Sequence, residues 1–118
     1  MTSLIAVLSS GKGTWAHVEK VISEQEWDNI FLVTNDFGVK NFKPQKKVGY
    51  ILIDSNKFLP EMIEDLKKQL ENKIPDTEVA LNFVSGNGKE HMAVMSALLK
   101  LGLGIRLVAL TINGVKEI

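Results

Sequence analysis

The sequence predicts a doubly wound α/β fold, in which a mostly parallel sheet of five strands carries helices on both faces. Five apolar runs recur along the 118 residues, at positions 4–8, 30–33, 50–53, 79–84 and 105–110. Their apolarity is continuous instead of alternating, which is typical of strands buried on both faces of a parallel sheet. Segments with helical periodicity separate most of these runs, and alternation of strand and helix favours the α/β class.

The segments between the strands differ in how clearly they indicate a helix. The clearest has apolar residues at offsets of 3, 4, 7 and 11, namely Leu59, Met62, Ile63, Leu66 and Leu70. This pattern predicts an amphipathic helix packed against the sheet. A weaker stripe of Trp15, Val18 and Ile22 follows the first strand and begins near Thr14, a candidate helix cap.

Two further connections leave alternatives open. The segment 88–101 is apolar around most of its circumference, so it is either a well-buried core helix or a helix that forms a homodimer contact. The segment 35–47 contains Gly38 and Pro44, which interrupt any helical period, and we interpret it mainly as a loop. Its four lysines form either a solvated surface or a patch that guides a polyanion.

Composition excludes several classes of function. Fourteen basic and fourteen acidic residues cancel, which argues against non-specific binding to duplex DNA or to an anionic membrane. The absence of cysteine and the presence of only two histidines exclude disulfides and thiolate sites and argue against a metal centre. No apolar segment approaches the roughly 20 residues of a membrane span. We therefore expect one cytoplasmic domain over residues 1–118, without a metal or cofactor.

The predicted strand order places two polar turns together. Right-handed crossovers favour the order 3-2-1-4-5, a Rossmann-like three-layer sandwich. In this order, strands are added to one side of the first strand and then, from the fourth strand on, to its other side. The turns after the first and fourth strands therefore open into one crevice at their carboxyl ends. These turns span positions 9–14 and 85–89.

Both turns have the residues that an anion site requires. Glycines let the backbone approach a phosphate, exposed N–H groups at a helix start point towards it, and lysine supplies a full charge. The alternative is that glycine and serine simply form tight turns with capping hydroxyls. The candidate ligand-binding residues are Ser9, Ser10, Gly11, Lys12, Gly13, Thr14, Ser85, Gly86, Asn87, Gly88 and Lys89.

Known nucleotide motifs do not account for these turns. A P-loop needs a glycine where the first strand has Ala6. A dinucleotide fingerprint has a third glycine where Ala16 stands, although alanine is tolerated there. Asp36 and Asp54 follow the second and third strands and are either turn formers or contacts to a ribose or an adenine amine. His17 and His91 are likewise either polar surface residues or proton carriers.

The segment Leu81-Asn82-Phe83-Val84-Ser85-Gly86-Asn87-Gly88-Lys89, followed by a helix with Met92 and Met95, resembles the fourth-strand signature of CARF domains, the CRISPR-associated Rossmann-like domains. The small hydroxyl-bearing turn after the first strand is similar to the other ligand loop of that family. The resemblance implies a homodimer that binds a cyclic oligoadenylate, cA4 or cA6, across its two-fold axis.

The same resemblance implies a possible activity, metal-independent cleavage of the ring. A ribose 2′-hydroxyl would attack its neighbouring phosphate, with Lys89 neutralising charge and Ser10 or Ser85 positioning the reacting groups. Two other hypotheses stay open. One is a non-enzymatic assembly protein, and the other is a small Rossmann-like enzyme acting on a mononucleotide or a sugar phosphate.

Overall fold

The computed structural model describes residues 2–118, which form one mixed sheet of six strands and four helices. In chain order the elements are β1 (Ser3–Val7), α1 (Trp15–Ser23), β2 (Asn29–Thr34), α2 (Asp36–Asn41), β3 (Gly49–Leu52), α3 (Leu59–Leu70), β4 (Glu78–Asn82), α4 (Gly88–Lys100), β5 (Gly104–Thr111) and β6 (Gly114–Glu117). A short 3-10 turn, Lys12–Thr14, precedes α1.

The strand order is β3-β2-β1-β4-β5-β6, and the first five strands are parallel. This confirms the predicted α/β class and the order of those five strands. The expectation of a five-stranded sheet is wrong, because β6 pairs antiparallel with β5 through a two-residue turn at Ile112 and Asn113. β6 has four residues, of which only Val115 is apolar, so hydrophobic patterning gives little sign of it, although Asn113-Gly114 is a typical hairpin sequence. Gly114 has a φ of +95°, which favours glycine there.

Alternate residues of β1 belong to two separate hydrophobic cores. Ile5 and Val7 pack with α3 and α4, whereas Leu4, Ala6 and Leu8 pack with α1. Helices therefore cover both faces of the sheet, which explains why the apolar runs are continuous. Each of the five core residues is at most 2% exposed, so the carboxyl end of β1 is held firmly in the centre of the sheet.

The predicted helices over 59–70 and 88–101 are confirmed to within one residue at their ends. The segment 35–47 begins with a six-residue helix, α2, before it becomes a loop. Asn35 caps this helix by accepting the N–H of Gly38 through its side chain. Gly38 cannot be replaced without strain, because a β-carbon there would collide with the hydroxyl of Thr34.

Both edges of the sheet have a glutamine side chain bonded to the outer strand. Gln69 from α3 accepts the N–H of Leu52 at 2.8 Å and donates to its carbonyl at 2.7 Å, as a neighbouring strand would. At the other edge Gln25 donates to the carbonyl of Val115 at 3.2 Å. Such contacts reduce the number of free backbone groups that another strand can use.

Across residues 2–118, every helix is too short or too polar to span a bilayer.

Candidate functional site

The turns after β1 and β4 lie side by side, as predicted, because β1 and β4 are adjacent parallel strands with Ala6 opposite Asn82. Two hydrogen bonds connect the turns. The N–H of Ser9 donates to the hydroxyl oxygen of Ser85 at 2.7 Å, and the two hydroxyls lie 3.0 Å apart. The two turns that contain the eleven candidate ligand-binding residues are therefore adjacent at the carboxyl ends of β1 and β4.

The turn after β1 is exposed at its tip and anchored at its base. Ser10, Gly11, Lys12 and Gly13 are exposed, whereas the indole N–H of Trp15 donates to the carbonyl of Ser9 at 2.8 Å. The hydroxyl of Ser9 donates to the carbonyl of Gly11 at 3.1 Å, which closes the turn. The structure thus presents a rigid loop with an open backbone and a free Ser10 hydroxyl.

The sequence does not reveal which contacts the side chains of Lys12 and Thr14 make. The ammonium of Lys12 lies 5.7 Å from the ring centres of both Trp15 and Phe37, so cation–π attraction holds it towards α2. Thr14 stands at the cap position of α1, but its side chain makes no capping hydrogen bond. Thr14 is therefore the cap residue of α1, as the sequence indicated, but its hydroxyl makes no capping hydrogen bond.

The turn after β4 combines a buried serine with a glycine at a positive φ. Ser85 is 1% exposed, and Gly86 has a φ of +104°. A β-carbon at Gly86 would lie 3.0 Å from the side chains of Val7 and Glu90 and 3.1 Å from His91. Only glycine fits this position without strain, because both the backbone angle and the surrounding side chains exclude a larger residue.

The start of α4 offers two backbone donors to a ligand. Asn87 and Glu90 form a capping box, in which each side chain accepts the backbone N–H of the other at 2.9–3.0 Å. The N–H groups of Gly88 and Lys89 make no hydrogen bond within the described residues. These two donors point out of a helix N-terminus, where partial positive charge favours an anion.

Lys89 is held away from the crevice by the loop after β3. Its ammonium donates to the carbonyl of Ser55 at 3.0 Å, and the Ser55 hydroxyl donates to the carboxylate of Glu90 at 2.9 Å. Glu90 is 8% exposed, so these contacts lie at the margin of the protein interior. A third loop, in which the sequence indicated only Asp54 as a candidate contact, is thus bonded to the start of α4.

His91 supports the turn after β4 from beneath. Its Nε2 lies 2.8 Å from the carbonyl oxygen of Ser85 and therefore donates to it. The imidazole also makes an edge contact with the ring of Phe83, at 4.7 Å between centres. His91 thus fixes the backbone on which Ser85 and Gly86 lie.

A second polar cluster lies on the α1 face beside the crevice. Nε2 of His17 accepts the side-chain N–H of Asn82 at 3.1 Å and the backbone N–H of Leu110 at 3.3 Å. Asn82 also donates to the carbonyl of Val108 at 2.9 Å, while its buried Oδ1 has no partner in the described chain. Burial lowers the pKa of His17 below its ordinary value of 6.5. The imidazole is therefore neutral near pH 7, with its proton on Nδ1.

One surface cavity is lined by none of the residues of the two turns. It has a volume of about 720 Å³ and lies at the carboxyl ends of β2 and β3, between residues 35–37 and 52–57. Within residues 2–118, no group of three or more acidic or histidine side chains is arranged to hold a metal ion.

No protein-family model matches the chain, and a search of curated proteins finds no significant relative.

Proposed function

We propose that this protein is a homodimeric CARF-like domain that binds a cyclic oligoadenylate, cA4 or cA6, at the crevice between β1 and β4. The observation that carries the proposal is the pair of hydrogen bonds between Ser9 and Ser85. They join two glycine-containing turns at the ends of β1 and β4, the two strands between which the strand order reverses. Open α/β sheets bind ligands at such points. A Rossmann-like domain with five parallel strands in this order is the scaffold of the proposal.

The donors around the crevice suit phosphodiester groups. The unpaired N–H groups of Gly88 and Lys89 accommodate anionic oxygens, and the exposed Gly11–Gly13 backbone admits a ring at close range. Lys12 belongs to the turn after β1, and Lys89 reaches a phosphate in the crevice when it leaves the carbonyl of Ser55. A ring with repeated phosphates uses such a site better than a single phosphate does, because several negative charges interact with it at once.

The exposed face of α4 supports the homodimer. Met92 and Leu99 are 62% and 61% exposed, and Val84, in the turn before the helix, is 47% exposed. Met92 and Leu99 lie two helical turns apart and form an apolar stripe on one face of α4, whose opposite face is buried in the core. A second copy placed on this stripe by a two-fold axis brings the same two turns to the other side of a ring.

Cleavage of the ring is the further part of the proposal. The 2′-oxygen of a ribose forms a bond to the adjacent phosphorus, the bond to the 5′-oxygen breaks, and the 2′-hydroxyl proton is balanced by protonation of the leaving 5′-oxygen. Lys89 neutralises the charge that grows on the phosphate, and the free Ser10 hydroxyl contacts the reacting ribose. Ser85 is committed to Ser9, so it positions the turn.

Thermal unfolding tests the proposal directly. Each ring is added to the purified protein, and a ligand that binds only the folded state raises Tm. We expect an increase of several degrees for at least one ring, and a much smaller increase for the Lys89→Ala variant. Lys100→Ala, which removes an exposed lysine from the far end of α4, serves as the control and retains the full increase.

If neither ring changes Tm, the proposed ligand is wrong. If Lys89→Ala and Lys100→Ala respond equally, the ring binds elsewhere on the protein.

A further inference from the structure

The cavity of about 720 Å³ is separate from the crevice that we propose for the cyclic ligand. It lies at the carboxyl ends of β2 and β3, whereas β4 lies on the other side of β1 in the sheet. The loop at positions 54–57 separates the two places: Ser55 bonds to Lys89 and Glu90 on one side and lines the cavity on the other. A volume of this size falls within the range that holds a drug-sized molecule.

The charges that remain free in this cavity are negative. The carboxylate of Asp36 makes no hydrogen bond or ion pair within residues 2–118, and it is exposed. Asp54 uses one oxygen to accept the N–H of Asn56 at 3.0 Å and leaves the other oxygen free. The lysine of the cavity, Lys57, is already paired with Asp65. Phosphate is therefore disfavoured inside the cavity, whereas a ligand that donates hydrogen bonds is favoured.

The walls of the cavity include exposed apolar surface. Phe37 and Leu52 are 40% and 48% exposed. The ring of Phe37 lies 6.0 Å from that of Trp15, and Lys12 lies on the same ring, so this wall connects the cavity to the turn after β1. An aromatic ring and a leucine together provide a surface for a planar, partly apolar group.

From these observations we propose that the cavity binds a nucleoside. The Asp36 carboxylate accepts both hydroxyls of the ribose, since its two oxygens match two neighbouring donors. The base lies against Phe37 and Leu52, and the 5′ end of the ribose points towards Lys12, outside the negative part of the cavity. This proposal shares Lys12 with the crevice but uses none of the residues at the turn after β4, so the absence of a cyclic ligand does not decide it.

A titration followed by 1H–15N NMR of the whole protein tests the inference. The probes are adenosine, 2′,3′-dideoxyadenosine, which lacks both hydroxyls, and spermidine, a flexible cation. We expect adenosine to shift the amide signals of residues 35–37 and 52–57, and dideoxyadenosine to bind at least tenfold more weakly. Loss of hydrogen bonds to a charged group has an effect of about this size.

Two variants identify the carboxylate responsible. Asp36→Asn keeps the shape of the side chain but removes its charge, and we expect adenosine to bind it at least tenfold more weakly. Asp28→Asn is the matched control, because Asp28 is an exposed aspartate at the amino end of β2, and we expect unchanged affinity. The spectra of both variants also report whether the fold is intact.

The inference is overturned if adenosine causes no shifts at millimolar concentration, or if dideoxyadenosine binds equally well. It is also overturned if spermidine shifts the same signals more strongly than adenosine does, since the cavity then selects a cation. Lys89→Ala separates this inference from the proposed function, because it is expected to bind adenosine normally. A failure of the cyclic ligand to bind leaves the adenosine result unaffected.

Discussion

The hydroxyl of Ser85 accepts the backbone N–H of Ser9 at 2.7 Å and lies 3.0 Å from the Ser9 hydroxyl, although 76 residues separate the two serines. The hydroxyl of Ser9 in turn donates to the carbonyl of Gly11. Ser85 is 1% exposed, so water does not compete for these bonds. The relative position of the two turns therefore depends on one small buried hydroxyl.

Replacing Ser85 with alanine tests this dependence. The variant leaves the N–H of Ser9 without its partner, and an unsatisfied buried group costs about 1–3 kcal/mol. We expect the free energy of unfolding, measured with urea, to fall by about that amount without a change in the slope. Ser10→Ala, at the exposed neighbouring position, should change it by no more than about 0.5 kcal/mol. Equal effects of the two substitutions would contradict the structural role of Ser85.

Gly86 and Gly88 provide a second comparison within one turn. Alanine at Gly86 must adopt a φ near +104° and places its β-carbon 3.0 Å from Val7 and Glu90. We expect Gly86→Ala to lower the free energy of unfolding by about 1–3 kcal/mol. Gly88→Ala has open space around its β-carbon and should be close to neutral or slightly stabilising. Urea unfolding of both variants measures the two free energies of unfolding. If Gly86→Ala is as stable as the unmodified protein, the described turn is wrong.

His17 makes stability depend on pH. Its pKa is lowered in the folded protein, so the unfolded chain binds a proton more readily. The free energy of unfolding is then highest above about pH 6.5 and falls as the pH drops below this value, through the lowered pKa of the folded state. Thermal unfolding between about pH 7 and pH 5 should show this loss, and His17→Gln should show a smaller one. An identical pH dependence in both proteins would exclude His17 as its source.

The glutamine at the β3 edge predicts a difference in self-association. Gln69→Ala exposes the N–H and the carbonyl of Leu52, which then become available to another strand. We expect light scattering of a concentrated solution to rise above that of the unmodified protein. Gln45→Ala is the control, because the Gln45 side chain is exposed and lies outside the sheet. If both variants scatter light equally, the Gln69 contact does not protect the edge.

Hydrophobic patterning was sufficient to predict the central sheet. β1, β2 and β4 are buried along most of their length, whereas β3 and β5 have one buried residue each, Ile51 and Val108. All five strands nevertheless have apolar runs that are long enough to recognise. β6 has a single buried apolar residue, Val115, and its pairing depends on a tight turn. α2 was difficult to predict because its six residues include Gly38, and glycine disfavours a helix. Glycine is required at this position because a larger residue would collide with the side chain of Thr34.

Polar side chains were predicted less completely than the turns that hold them. Strand order alone brings the turns at 9–14 and 85–89 together. The direction of Lys89 towards Ser55 depends on a loop distant in sequence, and the bond between Asn82 and His17 depends on the packing of α1. One signal was available for the latter pair, since Asn82 is a polar residue within an apolar strand, and such a residue needs a hydrogen-bond partner.

The most direct test of the proposed function is the stoichiometry of ring binding, measured by isothermal titration calorimetry with cA4 and cA6. The two turns of each chain form half of a site in our account, so we predict one ring bound for every two chains. Lys89→Ala should weaken this binding without changing the ratio. Binding of one ring to each chain, or no heat with either ring, would contradict the account.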